Sequence, residues 1–237
     1  MRQDRFNPKV PIVTQTEFYK ANFLKHYDKV PKDPSFSSVI ESLKELDDDD
    51  GDGDFSDLID RLESLSEEDD VIRTYSSEIE VGVKHFYTYV NEQLCKDDNS
   101  TVSKLMPLIR RATHQINYKA PKNACVVYRG IDLNDSYKKY FKVGTIFRFP
   151  GFTSTSLSRE KAETFGDTLF KIKIYSGCLQ VRDLSKISDF PEEEEYLFSP
   201  YSLFEVTEKN DEMITLKAHD NLEKIGMDIK LPKVQDD

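Results

Sequence analysis

The run Glu192-Glu193-Glu194-Glu195 leads without a break into Tyr196-Leu197-Phe198, and the reading of the whole chain turns on that junction. Four like charges in a row usually mark a solvated face. Here the apolar, aromatic residues that follow read as the start of a strand, which puts the last carboxylate at the strand mouth, beside the core, where it can do chemistry. The same texture continues on both sides. Short runs at 125–128, 145–149, 168–174, 195–198, 203–206 and 213–216 are rich in β-branched and aromatic residues, and several alternate apolar with charged positions as half-buried strands do. Between two of them, residues 158–165 carry a serine cap and helix formers, which predicts a short helix.

The first half of the chain is helical in pattern. From 67 to 94, Ile72, Tyr75, Ile79, Val83, Phe86, Val90 and Leu94 recur at steps of three and four, as on one face of an amphipathic helix. A second helix is expected from Ser100 or Thr101, with Val102, Leu105, Leu108 and Ile109 apolar and Pro107 kinking or shortening it. Helices first and strands after, without regular βαβ alternation, predict an α+β domain with a mainly antiparallel sheet.

Composition bounds the function. A chain of 237 residues can bury a sizeable core without metal or disulfide staples. Its net charge of -11 argues against a nucleic-acid surface and favours basic partners. Cys95, Cys125 and Cys178 are an odd number without metal-ligand spacing, and His26, His85, His114 and His219 lie far apart, so a reducing home and no zinc site are expected. No apolar run reaches the length of a signal-peptide core or a membrane span. The expectation is a monomer without a membrane partner, acting in the cytoplasm or delivered into a host cell's cytoplasm by a specialised secretion machine.

The N-terminal region carries its own signal. Residues 34–46 and 55–65 read as helices flanking 47–53, which is almost all Asp and Gly. On a calcium-loop template Asp48, Asp50 and Asp52 take positions one, three and five and Gly53 the sharp turn, but Ile59 stands where a closing Glu belongs. Two readings stay open: a flexible acidic tether extended by self-repulsion, and a weak, EF-hand-like calcium site. The expected division is an acidic helical extension at 1–66 and a second domain at 67–237.

Among candidate site residues, Arg129 ends an apolar strand and precedes Gly130, which would let a ligand approach the backbone. A guanidinium there suits a phosphate, or a plain rim ion pair. Ser154, Thr155 and Ser156 follow Pro150-Gly151-Phe152 and could equally decorate a strand edge. No Gly-x-Ser-x-Gly elbow, Walker loop or GxGxxG turn is present.

Taken in order, Tyr128-Arg129-Gly130, Phe152-Thr153-Ser154-Thr155-Ser156 and Glu193-Glu194-Glu195 resemble the three signature elements of the Arg-Ser-Glu class of mono-ADP-ribosyltransferases, a likeness extending over roughly residues 70–220. The resemblance implies an ADP-ribosyltransferase-like mixed, mainly antiparallel β-sandwich and an arginine-specific transferase that uses NAD as substrate. By that pattern Glu195 is the catalytic carboxylate on the ribose, Ser154 orients it, Arg129 grips the pyrophosphate, and Gly130, Thr155 and Ser156 complete the NAD site. Glu193 would activate the arginine of a target protein, and Phe190, in the loop 183–191, would recognise that target unless it is simply a packed loop aromatic. Among the members, phage-type or intracellularly acting effectors are the closer analogy. Two other functions stay open: an NAD glycohydrolase on the same site, and a catalytically silent binding module. The acidic segment 47–70 is also a candidate mask over the site, displaced by calcium or a host factor.

Overall fold

A computed structural model describes residues 12–49, 54–66, 71–133 and 135–219 of the chain. Helices come first: α1 (Gln15–Phe18), α2 (Asn22–Tyr27), α3 (Phe36–Asp49), α4 (Ser56–Glu63) and α5 (Val71–Tyr75). A hairpin of β1 (Glu80–Val81) and β2 (Lys84–His85) follows, then α6 (Phe86–Lys96) and α7 (Asn99–Tyr118). The remainder is β3 (Cys125–Ile131), α8 (Asp135–Lys138), β4 (Ile146–Phe149), β5 (Thr153–Ser156), α9 (Arg159–Glu163), β6 (Thr168–Ile174), β7 (Val181–Asp183), a 3₁₀ turn at Pro191–Glu193, β8 (Glu195–Phe198), β9 (Ser202–Lys209) and β10 (Met213–Ala218). No helix among the described residues is long and apolar enough to cross a membrane.

The single helix expected over 67–94 is in fact α5, a hairpin and α6. Gly82 explains the break: it takes a positive φ of 62° at the hairpin turn, where a residue with a Cβ is strained, and this carries Val81 and Val83 off any helical stripe. Pro107 does not shorten α7, which runs through it from the Asp98 cap to Tyr118. Its buried row, including Val102, Leu105, Met106, Ile109, Ala112 and Ile116, packs tightly enough to offset one missing backbone hydrogen bond.

Eight strands form one sheet in the order β4-β9-β10-β6-β3-β5-β8-β7, antiparallel throughout except for β10 beside β6. Continuity across its middle rests on one pair, Tyr128 with Ser156, so the sheet reads as two layers joined at a seam. An apolar cluster holds residues of both layers, with Val127, Phe170, Phe147 and Phe204 from one side and Val181 and Phe198 from the other.

A second cluster lies among the helices and joins residues of the 1–66 stretch to later parts of the chain. Phe18, Phe23, Val39, Leu43, Phe55, Leu58 and Leu62 share it with Val71, Ile72, Phe86, Leu105, Ile109 and Leu197. Asp97, at the end of α6, caps α2 by accepting from Asn22 N at 2.7 Å and Phe23 N at 2.9 Å. Of the acidic 47–53 segment, residues 47–49 end α3 and residues 50–53 lie outside the description. Asp50 and Asp52 are not among the described residues, and Asp48 falls within α3. What is visible is a tie, with Asp47 Oδ1 accepting from Phe55 N at 2.9 Å. Among the described residues no group of three or more His, Cys, Asp or Glu is arranged to hold a metal ion.

Each large apolar side chain taken from such a core forfeits about 1.5–3 kcal/mol, and deleting residues 1–66 takes at least seven. The shortened chain is expected to lose its cooperative unfolding transition and to aggregate, as followed by calorimetry and light scattering. A truncated protein melting like the full chain would show that the helical layer is an appendage after all.

Candidate active site

The seam between β3 and β5 makes the site. Where β3 meets β6 seven residue pairs run in register, whereas β3 meets β5 through one. In place of the missing ladder, Arg129 Nη1 donates to the Ser154 carbonyl at 2.7 Å. The strands diverge there around a cavity of about 230 Å³, lined by Arg129, Ser154, Glu193, Glu195 and Phe190 together with residues of the helical layer.

The acidic run is sorted by its backbone. Pro191–Glu193 forms the 3₁₀ turn, Glu194 adopts a left-handed conformation at φ 47°, and Glu195 begins β8 opposite Ser156. A left-handed conformation in a residue with a Cβ costs on the order of 1 kcal/mol, so the neighbours must hold it. They do so through carbonyls: Ser156 Oγ donates to Glu193 O at 2.7 Å and Leu157 N to Glu194 O at 3.2 Å. The result is that Glu193 and Glu195 line the cavity and Glu192 and Glu194 do not.

Glu195 is only 7 % exposed. Burial pushes its carboxyl up to about 7, against a hydrogen bond from the Ser154 hydroxyl and the Arg129 charge, and with help from the Glu193 charge. Glu193 is also raised, first by burial and then by Glu192, while Lys161 pulls it down. Two carboxylates with different environments in one cavity can take different roles.

The helical layer supplies the opposite wall, with Tyr87, Thr88 and Asn91 in the segment 87–94, whose sequence is similar to the helix that roofs the nucleotide cleft in the resembled family, although the contacts of Asn91 and Tyr75 were not legible there. Asn91 Oδ1 accepts from Phe152 N at 2.8 Å and from the Tyr75 hydroxyl at 3.2 Å, while its Nδ2 donates to Phe152 O at 3.3 Å. Gly151 permits this approach, since a Cβ there would come within 2.7 Å of Asn91 Oδ1. The Tyr75 ring packs on Phe152 with centroids 4.5 Å apart, and burial and the Glu195 charge push its hydroxyl far above the usual range. Tyr75 sat in an apolar stripe and read as core. An Asn on the inner side of an apolar helix was the signal available for Asn91.

Other residues expected at the NAD site make contacts within the protein. The Thr155 hydroxyl donates to Tyr196 O at 2.7 Å, Ser156 holds the acidic turn, and neither lines the cavity. At Gly130 backbone approaches closely: a Cβ would lie 1.9 Å from the Ala162 carbonyl of α9. Phe190 does line the cavity. Just before it, Asp189 accepts from Arg73 Nε at 3.0 Å and Nη2 at 2.8 Å, tying the loop 183–191 to α5. Both partners are well exposed, so this pair adds at most about 1 kcal/mol of stability and acts chiefly as a tether.

The sequence pattern described as "ART: NAD:arginine ADP-ribosyltransferase" matches residues 72–223. The chain belongs to this family. Its match to the erythroblast NAD(P)(+)–arginine ADP-ribosyltransferase of Gallus gallus is 36% identical over 101 residues, covering 42% of this chain and 31% of that protein. NAD(P)(+)–arginine ADP-ribosyltransferase 1 of the same species is 40% identical over 81 residues, 34% of this chain and 24% of the relative. The chain thus spans less than a third of the length of the curated relatives it matches. In fold it resembles the ADP-ribosyltransferase HopU1 of Pseudomonas syringae pv. Tomato DC3000, with a TM-score of 0.50 and 20% identity over 63% of this chain and 75% of that one.

For an NAD:arginine ADP-ribosyltransferase family member, burying the Glu195 carboxylate has a cost in stability that can be read directly. With the folded value near 7 and the ordinary value 4.5, the folded state holds the proton more tightly. That contribution is fully present below 4.5 and is lost as pH rises through about 7, an upper limit of roughly 3 kcal/mol. Glu195→Gln is therefore expected to raise Tm relative to the parent at about pH 8 and to leave it nearly unchanged at about pH 5. Equal shifts at both pH values would contradict the assignment of Glu195 as a buried, ionising carboxylate.

Proposed function

We propose that the chain transfers ADP-ribose from NAD to arginine side chains of target proteins, releasing nicotinamide. The observation that carries this is the sorting of the acidic run: Glu193 and Glu195 face one cavity with Ser154 and Arg129 while Glu192 and Glu194 do not. The bond from ribose C1′ to the nicotinamide nitrogen breaks with its electron pair going to nicotinamide, which leaves neutral and leaves positive charge on the sugar. Glu195, held by Ser154, stabilises that charge from a buried position. Arg129 offers paired donors to the pyrophosphate.

The acceptor guanidinium is protonated at ordinary pH and is no nucleophile in that form. Glu193 takes one of its protons, and the freed nitrogen forms the new bond to C1′. The raised carboxyl of Glu193 is suited to accept that proton, because a base is most effective when its own pKa approaches the working pH. Phe190, at the same mouth, packs against the target, and the net charge of -11 supports a basic protein partner in preference to a nucleic acid. On this reading the protein works as a monomer at a soluble target.

The test uses labelled NAD, a mixed lysate and mass spectrometry of modified side chains. The parent is expected to place ADP-ribose on arginine, and Glu195→Gln to lose NAD turnover by on the order of 10²–10³-fold. Glu193→Gln is expected to keep NAD hydrolysis and lose arginine transfer. Free ADP-ribose with no labelled protein would replace the transferase by a glycohydrolase, and NAD binding without turnover would leave a binding module.

A further inference from the structure

Three consecutive carbonyls of the acidic turn accept from one short segment of chain. Ser156 Oγ and Leu157 N hold Glu193 O and Glu194 O, and the third, Glu192 O, accepts from Lys161 Nζ. The backbone of the lysine is fixed in place. Its backbone N–H donates to Ser158 Oγ at 3.2 Å as part of the cap of α9, and Ser158 N donates to Ser156 Oγ at 3.0 Å. This charge-assisted contact adds to the two neutral hydrogen bonds, and it sits at the start of the turn that aims Glu193 into the cavity.

We propose that Lys161 is a positioning residue for arginine transfer, holding the Pro191–Glu193 turn so that Glu193 faces the cavity and supplying the positive charge beside it. This rests on the reading of Glu193 as the base that activates the acceptor. Around Glu193 stand Glu192 on the same turn, Glu195 on β8, Glu78 from the segment after α5, and Lys161 on α9, with Arg129, Tyr75 and Tyr87 lining the same cavity from β3, α5 and α6. Glu192 and Glu78 push its carboxyl up and Lys161 opposes them. Without the ammonium the balance tips further toward the protonated form, which cannot take a proton from a guanidinium.

The experiment compares the full-length parent, Lys161→Met, Lys161→Arg and Glu193→Gln, measuring NAD hydrolysis without acceptor and transfer to L-arginine methyl ester across pH. Lys161→Met is expected to lower transfer by roughly severalfold on the low-pH side of its profile and to move its rising limb to higher pH, while hydrolysis keeps the parent rate and profile. Lys161→Arg is expected to restore transfer. Equal loss of both activities would reduce Lys161 to a structural contact and overturn the proposal, as would a transfer profile unchanged by Lys161→Met. If Glu193→Gln retains transfer, the base assignment itself has failed; if it loses transfer while Lys161→Met behaves like the parent, only the role of Lys161 has failed.

Discussion

The structure depends on the place where its sheet nearly comes apart. β3 and β5 share one register pair, and a guanidinium bridges what the backbone does not. A continuous ladder there would leave no room for a ligand, because paired strands lie only about 4.8 Å apart. A complete break would leave backbone donors and acceptors unpaired at the edge of a core, costing about 1–3 kcal/mol for each buried group. Arg129 resolves the conflict: it satisfies the Ser154 carbonyl while keeping the strands open. The two apolar clusters, one among the helices and one between the sheet layers, hold the sides of the opening in place.

Much of this was legible in the sequence where a residue's role is local. The strand beginning at Glu195 followed from an acidic run meeting Tyr196-Leu197-Phe198, and the Ser158 cap announced α9. Arg129, Ser154, Glu193 and Glu195 do converge on one cavity. What could not be read depended on contacts distant in sequence. Nothing local reveals that Gly130 makes way for the Ala162 carbonyl, that Asn91 clamps Phe152, or that Asp97 caps a helix seventy-five residues upstream. The helical periodicity of 67–94 misled because a hairpin can place apolar residues at the same intervals, and only the positive φ of Gly82 separates the cases. The acidic content of 1–66 masked its buried Phe and Leu residues, which lie on the inner faces of amphipathic helices.

The acidic turn shows how function and stability oppose each other in this fold. A residue with a Cβ in the left-handed conformation, a carboxylate buried at 7 % exposure, and a second carboxylate beside it are each unfavourable alone. They persist because β5 and α9 hold the turn through its carbonyls, leaving the side chains to point where the chemistry requires. Natural proteins accept such local conflict where a site must be preorganised and recover the stability in their cores.

β8 carries Glu195 into a buried position, and that burial changes its acidity. Carbon-13 NMR of side-chain carboxyls, with Glu195 assigned by comparison with Glu195→Gln, measures this directly. A carboxyl titrating near pH 7 is the predicted result. Titration in the ordinary range near 4.5 would mean that the carboxylate is solvated and that the site is not the preorganised pair described above.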